Sequence, residues 1–198
     1  ARSHIEKIDW IRVHYAHPAH LSQRIIESIA NSDKVCNYLD MPVQHASDKI
    51  LKSMKRGLNQ EGIRNRIGRL RDSNPGIALR TTLIVGYPGE TEEEFNETLE
   101  VMRKVKFDSA FTFKYSPRKG TKAIEYNDQL GEDEKQRRLT KVIELQKLNT
   151  ALRNQSYVNK VVDVLIEKKS KRNESKWAGR TDSNKWVIFD RLDFNIND

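Results

Sequence analysis

The order of elements in this sequence predicts an α/β fold with parallel strands, followed by a smaller all-β piece. Two observations carry the first part. Short apolar runs such as Leu83-Ile84-Val85 are built like strands with both faces covered. Such runs alternate with stretches of helical apolar spacing, and β-α repeats join parallel strands through right-handed crossovers. A change of grammar after about residue 160, where alternation replaces the helical period, predicts the second part.

Asp9 to Tyr15 alternates as a strand does, and Pro18 keeps a helix from following at once. The next helix carries Ile25, Ile26 and Ile29 on one face, with Ser22 as its cap and Asn31-Ser32-Asp33 as its end. Val35 to Val43 is the second strand, and Ser47 caps a helix with Ile50, Leu51 and Met54 that Gly57 should stop. Ile63, Ile67 and Leu70 mark another amphipathic helix, and Asn74-Pro75-Gly76 turns the chain into the third strand, Ile77 to Val85. Gly86 to Gly89 is a tight turn, and Thr91 with Glu94 forms a capping box for a helix buried along Phe95, Leu99 and Met102.

Phe107 to Tyr115 alternates aromatic and smaller residues as a fourth strand. A long charged helix from Glu132 to about Arg153 should bury Leu139, Val142, Ile143, Leu145, Leu148 and Leu152. Val162, Val164 and Ile166 then alternate on a strand, a polar basic loop follows, and Lys185 to Phe189 is a second strand. Two strands make no stable sheet unaided, and Leu192 to Asp198 show little strand pattern.

The 198 residues suffice for one large domain, or a medium domain with an appendage. With 36% hydrophobic and 32% charged residues and a mean hydropathy of −0.78, the composition is that of a soluble globular chain, with no apolar run able to cross a bilayer. The opening Ala1 to Glu6 has no apolar h-region, and the missing initiator methionine suggests a processed or excised piece. A cytoplasmic setting is expected. The net charge of +8 favours a polyanionic partner such as RNA, and the single Cys36 excludes an internal disulfide or multi-cysteine metal site.

Loops at the carboxyl ends of parallel strands usually carry the site, which draws attention to residues 14–20, 44–47, 86–90 and 115–121. His14, His17 and His20 recur every third residue, but Pro18 interrupts them and no carboxylate or cysteine joins them, so a metal reading is not favoured. Cys36 reads as a small buried filler. Gln44 and His45 either hydrogen-bond a ligand or cap the Ser47 helix locally. Arg80, inside a strand, must grip an anionic group or bond a neighbouring carboxylate.

The Gly86-Tyr87-Pro88-Gly89 turn could admit a flat ligand, but Glu90, Glu92, Glu93 and Glu94 would repel phosphate. Tyr115 to Thr121 places Arg118 and Lys119 beside an aromatic, as a substrate-facing loop or a solvated turn. Lys168, Lys169, Lys171, Arg172, Lys176, Arg180 and Lys185, interleaved with Trp177 and Trp186, suit RNA binding by phosphate contacts and base stacking.

Asp40 to Gly57, Thr82 to Phe95 and Tyr115 to Thr121 together resemble the barrel motifs of the radical S-adenosylmethionine methylthiotransferases, in the expected order. Lys171-Arg172-Asn173 and Gly179 to Lys185 resemble the opening of a TRAM domain, a small RNA-binding β-barrel. The resemblance implies that residues 1–153 are the carboxyl-terminal part of a (β/α) barrel and 154–198 a truncated TRAM domain. It further implies an enzyme that binds S-adenosylmethionine and two 4Fe-4S clusters and adds a methylthio group to C2 of N6-isopentenyl-adenosine beside the tRNA anticodon.

The turn Gly86, Tyr87 and Pro88 would wall the S-adenosylmethionine pocket, with Arg80 and Gln44 as nearby polar grips. Lys168, Lys169, Lys171, Arg172, Arg180 and Lys185 would meet RNA. The expected partners are the tRNA anticodon arm and S-adenosylmethionine, with no membrane, and the expected state is a monomer. The family's three-cysteine cluster motif is absent, so the chain alone is expected to be inactive. His14 to Pro18 and Gln44-His45 look more like the sister branch that modifies an aspartate of a ribosomal protein, and an RNA-binding module without catalysis is the reading from another class.

Overall fold

The computed structural model describes residues 6–191 together with 193, 195 and 196. Expectations about Ala1 to Ile5 and about Leu192, Phe194, Asn197 and Asp198 lie outside the described residues.

Four parallel strands stand side by side in chain order: β1 (Ile11–Val13), β2 (Val35–Asp40), β3 (Ala78–Val85) and β4 (Ser109–Lys114). Between them run α1 (Gln23–Ala30), α2 (Asp48–Ser53), α3 (Gln60–Ser73) and α4 (Glu92–Val105), and α5 (Glu132–Gln155) follows β4. Because the strand order never reverses, right-handed crossovers place the helices on one face of the sheet. The core lies there, where Leu39, Leu79, Leu83 and Val85 pack against Ile26, Ile67, Phe95, Leu99 and Met102. Arg80, Thr82 and Ile84 point the other way, in register with Ser109, Phe111 and Phe113, and both phenylalanines are exposed. One face lined by helices and one open concave face describe part of a (β/α) barrel.

Local signals placed most boundaries. Ser22, Ser47 and Asn59 accept from the amides of Ile25, Ile50 and Gly62, and Thr91 and Glu94 close a reciprocal capping box. Each cap is worth about 1 kcal/mol of helix stability. Three expectations need correction. Ile25 is exposed, since α1 buries only Ile26 and Ile29. α2 ends at Ser53 rather than near Gly57, because Lys55 already takes a left-handed φ of 54°.

The third correction concerns α5. Leu148 is 69% and Leu152 47% exposed, while the fully buried stripe is Lys135, Arg138, Val142, Gln146 and Asn149. Gln146 donates to the Phe107 carbonyl at 2.9 Å and Asn149 to the Met102 carbonyl at 3.0 Å, so the helix packs by satisfying backbone oxygens of neighbouring elements.

The second sheet is an antiparallel meander of β5 (Val164–Lys169), β6 (Lys176–Thr181) and β7 (Trp186–Asp190). It therefore has three strands, and part of the expected basic loop is β6. Trp177 and Ala178 are buried there, and a Cβ at Gly179 would lie 2.3 Å from the Leu165 carbonyl oxygen. Glycine and alanine carry the close packing of β6, which leaves little hydrophobic signal to read.

The β6–β7 hairpin sits against the amino-terminal ends of the parallel strands. Arg12 donates to the Thr181 carbonyl at 2.7 Å, and the Lys185 ammonium lies 3.4 Å from Asp108 and over the Tyr157 ring. Among the described residues, no helix is long and apolar enough to cross a membrane.

Candidate cofactor-binding site

At the opposite, carboxyl ends of β2, β3 and β4 opens a cavity of about 860 Å³. Thr82 and Ile84 of β3 and Phe113 of β4 form its floor, and Gln44, Tyr87, Tyr115 and Tyr126 rise around it. Gln44 is held there by backbone pairing with β3: its amide donates to the Thr82 carbonyl at 2.9 Å and its carbonyl accepts from Ile84 at 2.8 Å. Its φ of 72° is unusual for a residue other than glycine and costs on the order of 1 kcal/mol. That backbone twist turns Gln44 to the cavity while His45 goes into the core.

The two alternatives left open for the Gln44-His45 pair thus divide between its members. His45 Nδ1 accepts from the Ser47 amide at 3.0 Å, which leaves the ring proton on Nε2, 3.4 Å from Glu90 Oε1. Gln44 keeps its side-chain amide for the cavity.

The turn after β3 is built around Glu90, whose side chain is completely buried. Glu90 Oε2 accepts from the amides of Gly86 and Tyr87, and Oε1 faces Arg138 at 3.3 Å. Oε2 thus takes two backbone hydrogen bonds and sets the position of Tyr87, while Oε1 has His45 and Arg138 within ion-pair distance but no hydrogen bond among the described residues. Tyr87 in turn touches the rings of Tyr115 and Tyr126 edge-on, with centroids 5.1 and 6.5 Å away. Burial, with Tyr87 next in effect, pushes the Tyr115 hydroxyl pKa up, so it stays protonated as a donor.

Of the predicted cofactor residues, Gln44 and Tyr87 line the cavity. Pro88 is buried behind the wall. Gly86 has a φ of 74°, and a Cβ there would lie 2.5 Å from Lys135 Cγ, so the close approach that this glycine permits is to α5. Arg80 lies deeper on the open face, with the carboxylate partner that one reading required: Nε and Nη2 reach Asp40 Oδ2 at 2.9 and 2.5 Å, between the rings of Tyr38 and Phe111.

His17 caps a short turn through Pro18–His20, and His14 meets Tyr38 edge-on. Cys36 is buried near the other end of the sheet, and burial pushes its thiol pKa up. The predicted RNA residues also separate. Arg180 is bidentate to Glu167 at 2.6 and 3.0 Å, and Lys185 is committed to Asp108. Lys168 stacks over the exposed Trp186 at 4.4 Å, and Lys169, Lys171 and Arg172 are exposed.

The cavity lining contains no carboxylate, histidine or cysteine among the described residues. It offers aromatic and aliphatic walls, a few neutral polar groups and the cations Lys55, Arg56, Lys114, Arg118 and Lys122, a lining suited to binding and orienting a ligand. Sequence reasoning missed Thr82, Ile84, Phe113 and Tyr126 as lining residues. Of these, Thr82, Ile84 and Phe113 were readable as alternate strand positions that share one face.

A family model described as the Radical SAM superfamily matches residues 1–102, and a TRAM domain model matches residues 155–198. A tRNA-2-methylthio-N(6)-dimethylallyladenosine synthase of Carboxydothermus hydrogenoformans is 46% identical over 188 residues, covering 93% of this chain and 43% of that protein. The protein of the same description from Clostridium tetani is 43% identical over 185 residues, 93% of this chain and 41% of its own length. The chain thus spans about two fifths of these relatives. Among solved structures, the radical SAM enzyme coproporphyrinogen III oxidase of Escherichia coli superposes with a TM-score of 0.59 at 14% identity, over 87% of this chain and 46% of that one. Archaeal Elp3 of Methanocaldococcus infernus gives 0.55 at 13% identity, over 86% and 52%. At such identities these two likenesses speak to the fold alone.

Proposed function

The chain belongs to the radical SAM superfamily, and we propose that it is the carboxyl-terminal portion of a tRNA methylthiotransferase acting at C2 of N6-isopentenyl-adenosine. The observation that carries this reading is the relatives' identity of 41–46% across both parts of the chain, the sheet with the cavity and the TRAM region together. The superfamily implies S-adenosylmethionine and a 4Fe-4S cluster in the parent enzymes.

The cavity suits S-adenosylmethionine. It is large enough, its walls are aromatic and aliphatic as an adenine face requires, and Gln44, Thr82 and Ser53 supply neutral polar groups for ribose and amino-acid atoms. When bound and reduced, that cofactor supplies hydrogen abstraction from an unactivated carbon, a step outside side-chain chemistry. The chain's own contribution is to bind and orient: Gln44 is fixed by β3, and Tyr87 is fixed by Glu90.

The cluster does not fit this chain. Cys36 is the only cysteine, it is buried, and it lies toward the amino-terminal end of β2, remote from the cavity end of the sheet. The TRAM sheet and the basic composition support tRNA as the partner, and the cytoplasm as the place of action.

Two measurements test the reading. Mass spectrometry of tRNA nucleosides from a strain without the parent gene should lose the 2-methylthio nucleoside and accumulate its N6-isopentenyl precursor. Intact nucleosides together with loss of a methylthio group from a ribosomal-protein aspartate would refute the tRNA assignment. The purified chain, reconstituted with iron and sulfide, should yield no 5′-deoxyadenosine from S-adenosylmethionine, and turnover would contradict the placement of the cluster elsewhere.

A further inference from the structure

The cavity mouth is strongly and one-sidedly charged. Lys55, Arg56, Lys114, Arg118 and Lys122 line it, with no carboxylate among the described lining residues. Two of these cations are engaged. Arg56 donates to the Pro42 carbonyl at 2.7 Å, and Lys114 pairs with Glu132 at 3.1 Å. The side chains of Lys55, Arg118 and Lys122 are exposed and make no hydrogen bond or ion pair within the described structure.

The three come from separate segments. Lys55 follows α2, Arg118 lies in the loop after β4, and Lys122 opens the short helical turn Lys122–Glu125. Lys55 holds a left-handed φ of 54°, a conformation that a helix end usually assigns to glycine. Three free cations converging from separate segments on one mouth raise the local potential for a polyanion, and the absence of acid in the lining leaves that field uncancelled. The TRAM hairpin, by contrast, docks at the amino-terminal end of the same strands through Arg12 and Lys185, opposite the mouth.

We propose that the mouth is a second RNA-binding surface, in which Lys55, Arg118 and Lys122 hold backbone phosphates flanking the nucleotide that enters the cavity, independently of the TRAM sheet. This rests on reading the cavity as the reaction chamber of an RNA-modifying enzyme. RNA is favoured over an acidic protein segment because three aromatic rings, Tyr87, Tyr115 and Tyr126, stand beside the cations, a pairing of phosphate and base contacts. The aromatic floor and walls also suit a base more than a carboxylate side chain.

The test uses the 198-residue chain and a fluorescently labelled RNA stem-loop with an adenosine-rich loop, followed by anisotropy across a salt series. The triple variant Lys55→Gln, Arg118→Gln, Lys122→Gln changes exposed, unpartnered groups and should keep the wild-type melting temperature. It should weaken binding at moderate salt by at least about tenfold and reduce the slope of log K against log salt by about 2 to 3, since each phosphate contact contributes roughly 0.7 to 0.9. A second variant, Lys168→Gln with Lys171→Gln and Arg172→Gln, should lower affinity additively with the first.

Wild-type affinity and slope in the mouth variant, with loss only in the sheet variant, would overturn the proposal and leave the RNA reading standing. No salt-dependent RNA binding by the wild-type chain would overturn both. If polyglutamate competes as well as RNA, or if the mouth variant loses S-adenosylmethionine binding but not RNA binding, the cations serve another anion and the proposal fails.

Discussion

Replacing Glu90 by glutamine tests the turn that positions Tyr87. Oε2 of this buried carboxylate accepts from the amides of Gly86 and Tyr87, and His45 Nε2 and Arg138 stand 3.4 and 3.3 Å from Oε1 as charge partners without a hydrogen bond. A glutamine has one oxygen and one NH2 group, so in either orientation its NH2 faces two donors. The substitution also strips a partner from Arg138, whose side chain is 5% exposed. Breaking a buried ion pair from one side costs about 3–5 kcal/mol. Arg138 keeps Glu134 at 2.6 Å and the Glu90 carbonyl at 2.9 Å, which places the expectation near the lower end, about 3 kcal/mol.

Urea unfolding at neutral pH measures it. With a slope near 2 kcal/mol per molar urea for a chain of this size, the midpoint should fall by about 1.5 M. A loss below about 1 kcal/mol would refute this account of the turn. So would a double-mutant cycle with Arg138→Met that shows no coupling.

Gly86→Ala should destabilise by about 2 kcal/mol or more, because alanine resists a φ of 74° and its Cβ would strike Lys135, and the same denaturation assay reads it. Hydrogen bonds from Arg137, opposed by burial and reinforced by those from Arg138, leave Glu134 with a pKa of about 2 against an ordinary 4.5. Its folded pKa is depressed, so its stabilisation is complete above about pH 4.5 and is lost as pH falls toward 2. The stability gap between wild type and Glu134→Gln should therefore close over that range in acid titrations of the unfolding midpoint. Asp108→Asn should weaken the joint between the two sheets, since Asp108 accepts from Leu79, Arg153 and Lys185. Hydrogen exchange should accelerate in the hairpin 181–187, and unchanged protection there would show that other contacts hold the hairpin.

Much of the architecture was readable because its causes are local. Ser22, Ser47 and the Thr91-Glu94 pair act on amides three residues away, and the spacing of Ile63, Ile67 and Leu70 needs only the helical period. Two residues of the cavity lining were readable for the same reason. Gln44 and Tyr87 follow parallel strands, and a parallel sheet opens its ligand crevice at that end. The errors fell where a residue's partner is distant in sequence. Leu148 and Leu152 of α5 looked like part of its core, yet beside Val142 its buried stripe is polar, because carbonyls of Phe107 and Met102 accept from Gln146 and Asn149 there.

The sequence alone determined the alternation of elements, their caps, the parallel sheet, the basic character and the absence of a cysteine set for a cluster. Only the tertiary structure decided which charges remain free. Arg180 and Lys185 read as open grips but are met by Glu167 and Asp108, and of the two readings open for Arg80 the carboxylate partner, Asp40, is the one present, whereas Lys55 and Lys122, ordinary surface lysines by sequence, stand unpaired around the cavity. The reason is physical. Propensity and capping act within about one helical turn, but an ion pair is set by whichever opposite charge the fold brings within 4 Å, here from 13 to 77 residues away.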